Sequence, residues 1–193
     1  STGHPKGVLL THANLLANIR AIRAGLEARP TDVGVSWLPL YHDMGLIGSW
    51  LFCMADGLPI TLLSPLSFLS RPERWLWAIH ERRGSLSAAP NFAYELCVKR
   101  IPEQAIEGLD LSSWRCALNG AEPVNPDTLE RFAKRFAPYG LRREALMPVY
   151  GLAENSVGLC FPPVGRGPRV DRVVRAAFAE GRRAEPAGAS DTS

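Results

Sequence analysis

Apolar residues in this chain gather in short blocks separated by longer stretches of helical periodicity, and the two kinds of segment alternate almost throughout. Val33 to Leu38, Leu58 to Leu63, Leu86 to Ala89, Trp114 to Leu118 and Leu146 to Val149 are mostly apolar on both alternating positions, the pattern of strands buried on both faces of a parallel sheet. Thr11 is placed to N-cap a helix to about Glu27, and Asp43 one reaching Ala55. Arg71-Pro72 opens a helix to Arg83, ended by Gly84; Phe92 to Arg100 forms another; Asn125-Pro126 starts one to Ala137. Pro102 to Ser113 reads as a looser turn. Strands alternating with helices imply right-handed crossovers, so the predicted fold is α/β, a mostly parallel sheet flanked by helices.

Polar motifs follow the strands. Pro39-Leu-Tyr-His-Asp43, Ala89-Pro-Asn91, Asn119-Gly-Ala-Glu-Pro123 and Tyr150-Gly-Leu-Ala-Glu154 each occupy a strand exit. In open α/β sheets ligands bind at that edge, so the four are expected to meet on one rim. At the last of them Gly151 permits a tight turn and Leu152 to Asn155 is expected to open a helical turn. Beyond it lie an apolar stretch to Phe161, a proline and glycine loop through Pro168, and a short helix from Asp171 to Glu180. The last dozen residues read as unstructured. Residues 1–161 are thus expected to form a domain core, and 162–193 a loop region with a disordered tail.

Each motif carries a chemical and a plain reading. Ser1 to Gly7 supplies two hydroxyls, two glycines and a lysine, suited to wrapping donors and a cation around phosphate, or merely to a surface turn. Tyr150 can stack on a flat base or fill the core. Gly120 and Ala121 can bring backbone against the base, or form an Asn-Gly corner. Glu154 suits magnesium beside phosphate, or the first turn of a helix. His42 suits contact with a substrate carboxylate or a gating role, or a hydrogen bond within its own loop. Asp43 is assigned to capping.

Composition narrows the classes. At 193 residues, 46% hydrophobic and 21% charged, with a formal charge of +3, the chain has the profile of a water-soluble globular protein without the basicity of a nucleic-acid binder. Cys53, Cys97, Cys116 and Cys160 stand singly in apolar runs, as buried reduced thiols of the cytoplasm do. The most apolar window, Met44 to Leu63, is broken by Asp56, Gly57 and Pro59, against a membrane span. No targeting motif is visible, and a start at Ser1 reads as part of something longer.

Taken together the motifs resemble the adenylate-forming superfamily of acyl-CoA synthetases, luciferases and nonribosomal adenylation domains. Ser1 to Gly7 is similar to the end of its phosphate-binding signature, Asn119 to Pro123 to its adenine-side motif, and Tyr150 to Glu154 to its adenine and magnesium motif. Leu38 to Ile47, Asn119 to Val124 and Tyr150 to Asn155 are most similar to fatty-acyl-AMP ligases and their acyl-carrier-protein synthetase relatives; Pro162 to Glu185 would correspond to that subgroup's insertion region. The fold implied is part of the large N-terminal domain of these enzymes.

The resemblance implies activation of a fatty acid by ATP and Mg2+, giving acyl-adenylate and pyrophosphate, then transfer to an acyl-carrier-protein thiol, or to CoA in the related acyl-CoA ligases. It implies phosphate contacts for Ser1, Thr2, Gly3 and Lys6, adenine contacts for Asn119, Gly120, Ala121, Glu122, Tyr150 and Gly151, magnesium at Glu154, and His42 beside the acyl carboxylate. Ala153 stands where many relatives have a threonine, as in the fatty-acyl-AMP ligase subgroup. No stretch matches the family's ribose-binding aspartate, its hinge or its carboxyl-terminal lysine domain. The isolated chain is therefore expected to be poorly active or inactive, and a nucleotide-binding fragment without catalysis is the alternative reading.

Overall fold

The structure is a computed structural model that describes residues 7–188. Helix α1 (His12–Gly25) starts at Thr11 in a capping box: Asn14 N–H donates to Thr11 Oγ1 (3.2 Å) while Thr11 N–H donates to Asn14 Oδ1 (2.9 Å). Strand β1 (Gly34–Ser36) is followed by a continuous helical stretch made of α2 (Asp43–Gly45), a π-helical turn (Leu46–Leu51) and α3 (Phe52–Ala55). Then come β2 (Ile60–Leu62), α4 (Pro65–Ser70), α5 (Glu73–Arg82), β3 (Leu86–Ala89) and α6 (Asn91–Arg100). Beyond them lie β4 (Cys116–Asn119), α7 (Pro126–Phe136) and β5 (Leu146–Pro148). A two-stranded antiparallel ribbon, β6 (Tyr150–Gly151) with β7 (Gly158–Cys160), and helix α8 (Arg175–Gly181) complete the described chain.

Strands β1 to β5 form one wholly parallel sheet in the order β2-β1-β3-β4-β5. The order reverses between β1 and β3, so their exits diverge there and leave a crevice, the usual ligand position in such sheets. Right-handed crossovers then set the helix layers. Helices α5, α6 and α7 share one face, joined by an aromatic core in which Trp75 meets Tyr94 and Trp114 edge-on and Tyr94 meets Phe132. Across the sheet, α1 packs on α3 and the π turn.

At the strand beginnings Arg115 and Asp32 form a buried ion pair. Arg115 Nε donates to Asp32 Oδ1 (2.8 Å) and Nη2 to Oδ2, while Nη1 and Nη2 reach the carbonyls of Leu26 (2.8 Å) and Glu27 (3.1 Å). Ser85 Oγ and the Arg29 N–H also donate to the carboxylate. Burial acts to raise the Asp32 pKa, but these bonds outweigh it and hold the carboxyl below its ordinary value.

Several sequence expectations shift. The cap of the helix after β1 is His42, whose Nδ1 accepts the Met44 N–H, and Asp43 is its first helical residue. Helix α4, capped by Ser64 with Pro65 in its first turn, was not anticipated. The helical turn expected from Leu152 is only a 3-10 turn over Ala153–Asn155 inside the ribbon. All four thiols are free, but Cys160 is exposed because it ends the edge ribbon. Residues 172–187 are tied by a bridge between Val173 and Pro186 and by Ala187 N–H to Arg172 O (2.8 Å).

Candidate functional site

The rim is built from the strand exits upward. β4 ends in Asn119, fully buried, whose Nδ2 donates to Asn91 Oδ1 (3.3 Å) at the start of α6. The same Asn91 oxygen accepts the Asn125 N–H (3.1 Å), so one side chain fastens the exits of β3 and β4. Asn119 Oδ1 is a buried acceptor without a partner among the described residues. The next residues turn sharply. A Cβ at Gly120 would lie 2.9 Å from the Val149 carbonyl, and Ala121 holds φ +67. A non-glycine residue in that left-handed region is strained by about 1–3 kcal/mol, which persists only where its surroundings impose it. Glu122 then turns back, and its Oε1 accepts the Phe92 N–H at 2.6 Å, capping α6.

The β6-β7 ribbon closes the other side. A Cβ at Gly151 would come within 1.8 Å of the Val157 carbonyl, so only glycine allows this approach. Asn18, buried on α1, binds the ribbon at both ends of one residue: its Nδ2 donates to Gly158 O (2.7 Å) and its Oδ1 accepts the Gly158 N–H (3.0 Å). Ribbon and helix are thus fastened at Gly158. Tyr150 is left 63% exposed at its mouth.

Between α1, the π turn, the strand exits and the ribbon lies a cavity of about 310 Å³. Its walls are apolar: Ile22 and Leu26, Met44 and Gly48, Ala88, Leu118 and Val149, with Val157 and Phe161 from the ribbon side. Its mouth carries His42, Asp43, Ala121, Tyr150, Gly151 and Ala153. His42 Nδ1 lies 2.8 Å from Asp43 Oδ1, and both face the Met44 N–H, at 3.2 and 2.7 Å. That fixes the ring and leaves Nε2 as its remaining polar atom. An apolar chamber under a polar rim is shaped for a molecule with a greasy tail and a polar head.

Glu154 opens onto a separate, shallower groove of about 440 Å³, lined also by Leu9, Leu10 and Asn14 at the start of the described chain. Its exposed carboxylate has no hydrogen bond or ion pair among the described residues, and no cluster of three metal-ligating side chains occurs there. One free carboxylate facing the segment that leads in from residues 1–6 fits a magnesium ion held chiefly by phosphate and water. Gly158 lines both concavities and divides them.

Of the residues singled out from sequence, His42, Ala121, Tyr150 and Gly151 meet at one cavity mouth, and Glu154 lies in the adjoining groove. Asn119, Gly120 and Glu122 build the turn behind them. Ser1, Thr2, Gly3 and Lys6 lie outside the described residues. Sequence reasoning missed Asn18, legible as an amide beside Ile19 and Ile22 on the buried side of α1, and Gly48, legible as a glycine inside a helix.

Such a site is the ligand edge of an open α/β domain, an apolar chamber under a polar rim. The chain belongs to the AMP-binding enzyme family, whose profile matches residues 1–179. It is 44% identical over 157 residues to the medium-chain-fatty-acid–[acyl-carrier-protein] ligase TtuA of Teredinibacter turnerae, covering 81% of this chain and 24% of that protein. It is also 44% identical over 172 residues to 4-hydroxyphenylalkanoate adenylyltransferase of Mycobacterium marinum, covering 88% of this chain and 28% of that one. A fatty acyl-adenylate ligase of L. pneumophila, solved with acyl adenylate and pyrophosphate, superposes with a TM-score of 0.90 at 41% identity, over 98% of this chain and 33% of its own. The chain spans about a quarter to a third of the length of these relatives.

Proposed function

We propose that the protein carrying this chain activates a fatty acid with ATP and passes the acyl group to a carrier-protein thiol. The observation that supports this best is the apolar cavity opening between Tyr150, the strained Ala121 turn and His42. Tyr150 offers an exposed ring for the adenine to stack on, and the turn at Gly120 and Ala121 offers backbone to its edge. The acyl carboxylate would sit at the mouth beside His42. Its oxygen bonds to the α-phosphorus as the bond to the pyrophosphate oxygen breaks, giving acyl-adenylate; the thiol sulfur then bonds to the acyl carbon and AMP leaves.

Bringing a carboxylate to a triphosphate is the difficulty. Like unit charges about 4 Å apart repel by about 1 kcal/mol in water and about 4 kcal/mol at an effective dielectric of 20. Ser1, Thr2, Gly3 and Lys6 would surround the phosphates with donors and a cation, and Glu154 would hold magnesium, which supplies charge neutralisation there. The relatives include proteins named as putative fatty-acid–CoA ligases, such as FadD21 of Mycobacterium tuberculosis at 44% identity, so CoA is the second acceptor to test.

Isotope exchange between ATP and pyrophosphate, driven by saturated fatty acids, tests the first step in the natural polypeptide. Exchange dependent on fatty acid and magnesium is expected, followed by transfer to a phosphopantetheinylated carrier protein in preference to CoA. Nucleotide binding with no exchange for any carboxylic acid would instead favour a non-catalytic binding module. The 193-residue chain by itself is expected to give far less exchange, since it spans so little of its relatives' length.

A further inference from the structure

Beneath the main cavity lies a second, smaller chamber of about 20 Å³ between β1, β2 and the helical stretch, bounded by Gly34, Phe52, Cys53 and Ile60. Four residues line both spaces: Leu26, Gly48, Ala88 and Leu118. Two of them are bulky and two, Gly48 and Ala88, are small, so the wall that the spaces share carries least side-chain bulk at those two residues. Gly48 sits in the π turn, where Phe52 N–H donates to Ile47 O across five residues. π turns inside α-helices gather at functional sites.

The chamber's polar atoms are already engaged. Ser87 Oγ accepts from Trp75 Nε1 (2.8 Å) and donates to Val35 O (2.6 Å); Ser49 Oγ donates to Met44 O (3.2 Å); Ser36 Oγ accepts from the Leu38 N–H (3.2 Å). Burial pushes the Cys53 thiol up to about 12, so it is neutral. Nothing there calls for water. At about 10–15 Å³ for one water-sized group, the chamber holds one or two such groups, the end of a tail and not a further segment of it.

We propose that Gly48 is the residue that sets acyl-chain length: the absence of a side chain there lets the terminal methyl end of the acyl tail pass from the main cavity into the small chamber. The inference rests on the acyl-adenylate reading of the site above. A Cβ at Gly48 would meet only Val157 and Met44 side-chain atoms at 3.8 to 4.0 Å, ordinary contacts. One added carbon at this position therefore fits the fold, and a longer side chain would extend toward the main cavity that Val157 and Met44 line.

The test is binding of acyl-sulfamoyladenosines with butanoyl, hexanoyl, octanoyl, dodecanoyl and hexadecanoyl tails to the natural polypeptide and to its G48A and G48L variants. Affinity of the parent is expected to rise about fourfold per methylene until the chamber is filled, then fall. G48L should move the optimum to tails shorter by about one or two methylenes, the groups that the small chamber holds, while butanoyl affinity falls much less than that of the long tails. G48A, which adds one carbon, should shift it by about one methylene or less, and circular dichroism shows that both variants fold. An unchanged length profile in a folded G48L, or an equal loss for every tail, overturns the role of Gly48. If the parent binds none of the analogues, the acyl-adenylate reading fails first and takes this inference with it.

Discussion

Asp32 and Arg115 show how much one buried pair decides. Removing the cation leaves a carboxylate in the interior with only neutral donors, at a typical cost of 3–5 kcal/mol for a broken buried pair. Arg115→Leu is therefore expected to lose about 3 kcal/mol or more in urea unfolding at neutral pH. The folded carboxyl titrates below its unfolded value of about 3.9, so its stabilisation is present above that pH and is lost as pH falls through the folded value. The gap between the parent and Arg115→Leu should accordingly narrow in acid; a constant gap would show that the charge is not what the pair contributes. Ala121 works in the opposite sense. Ala121→Gly relieves the left-handed strain and should raise stability by up to about 1 kcal/mol, while loosening the turn and lowering fatty-acid-driven exchange. A variant that gains stability with undiminished exchange would take that turn out of the proposed chemistry.

Among the elements, the helical stretch from Asp43 to Ala55 carries two glycines with opposite duties. A Cβ at Gly45 would fall 2.3 Å from the Pro39 carbonyl, whereas one at Gly48 finds room. Gly45→Ala should thus cost at least about 2 kcal/mol through forced backbone movement, and Gly48→Ala should gain up to about 1 kcal/mol from helix propensity, both measurable by thermal unfolding. Elements of this kind mark the limit of reading from sequence. The parallel sheet and its polar exits were legible because strands buried on both faces read as apolar blocks and because Thr11 and Asn125 cap helices through local bonds. The ribbon was not: Gly151 reads as a turn residue, but its partner Val157 and the Asn18 clasp on Gly158, 140 residues away, are not signalled by the residues around Tyr150. Glu122 was likewise assigned toward the ligand, yet its carboxylate answers a helix start thirty residues away in sequence.

For the whole molecule, the sheet's outer strand leaves apolar surface uncovered. Leu62 on β2, and Leu66 and Leu69 on the helix after it, are 45, 76 and 43% exposed. Edge strands flanked by exposed apolar side chains promote association between chains. The 193-residue chain should therefore form concentration-dependent assemblies in light scattering, and Leu66→Lys should reduce them; identical scattering from both would place the association elsewhere. No helix among the described residues is long and apolar enough to cross a membrane.

The division at Gly158 has a consequence for traffic. With the tail cavity and the Glu154 groove opening as two doors on either side of one ribbon, a released polyphosphate and a loaded acyl chain need not use the same exit. Under the proposed chemistry, pyrophosphate could depart while the adenylate stays seated, and the second acceptor could arrive along the vacated path. Chemistry already fixes the order of the two halves, since the thiol needs the adenylate; what the peptide unit at Gly158 would separate is their routes.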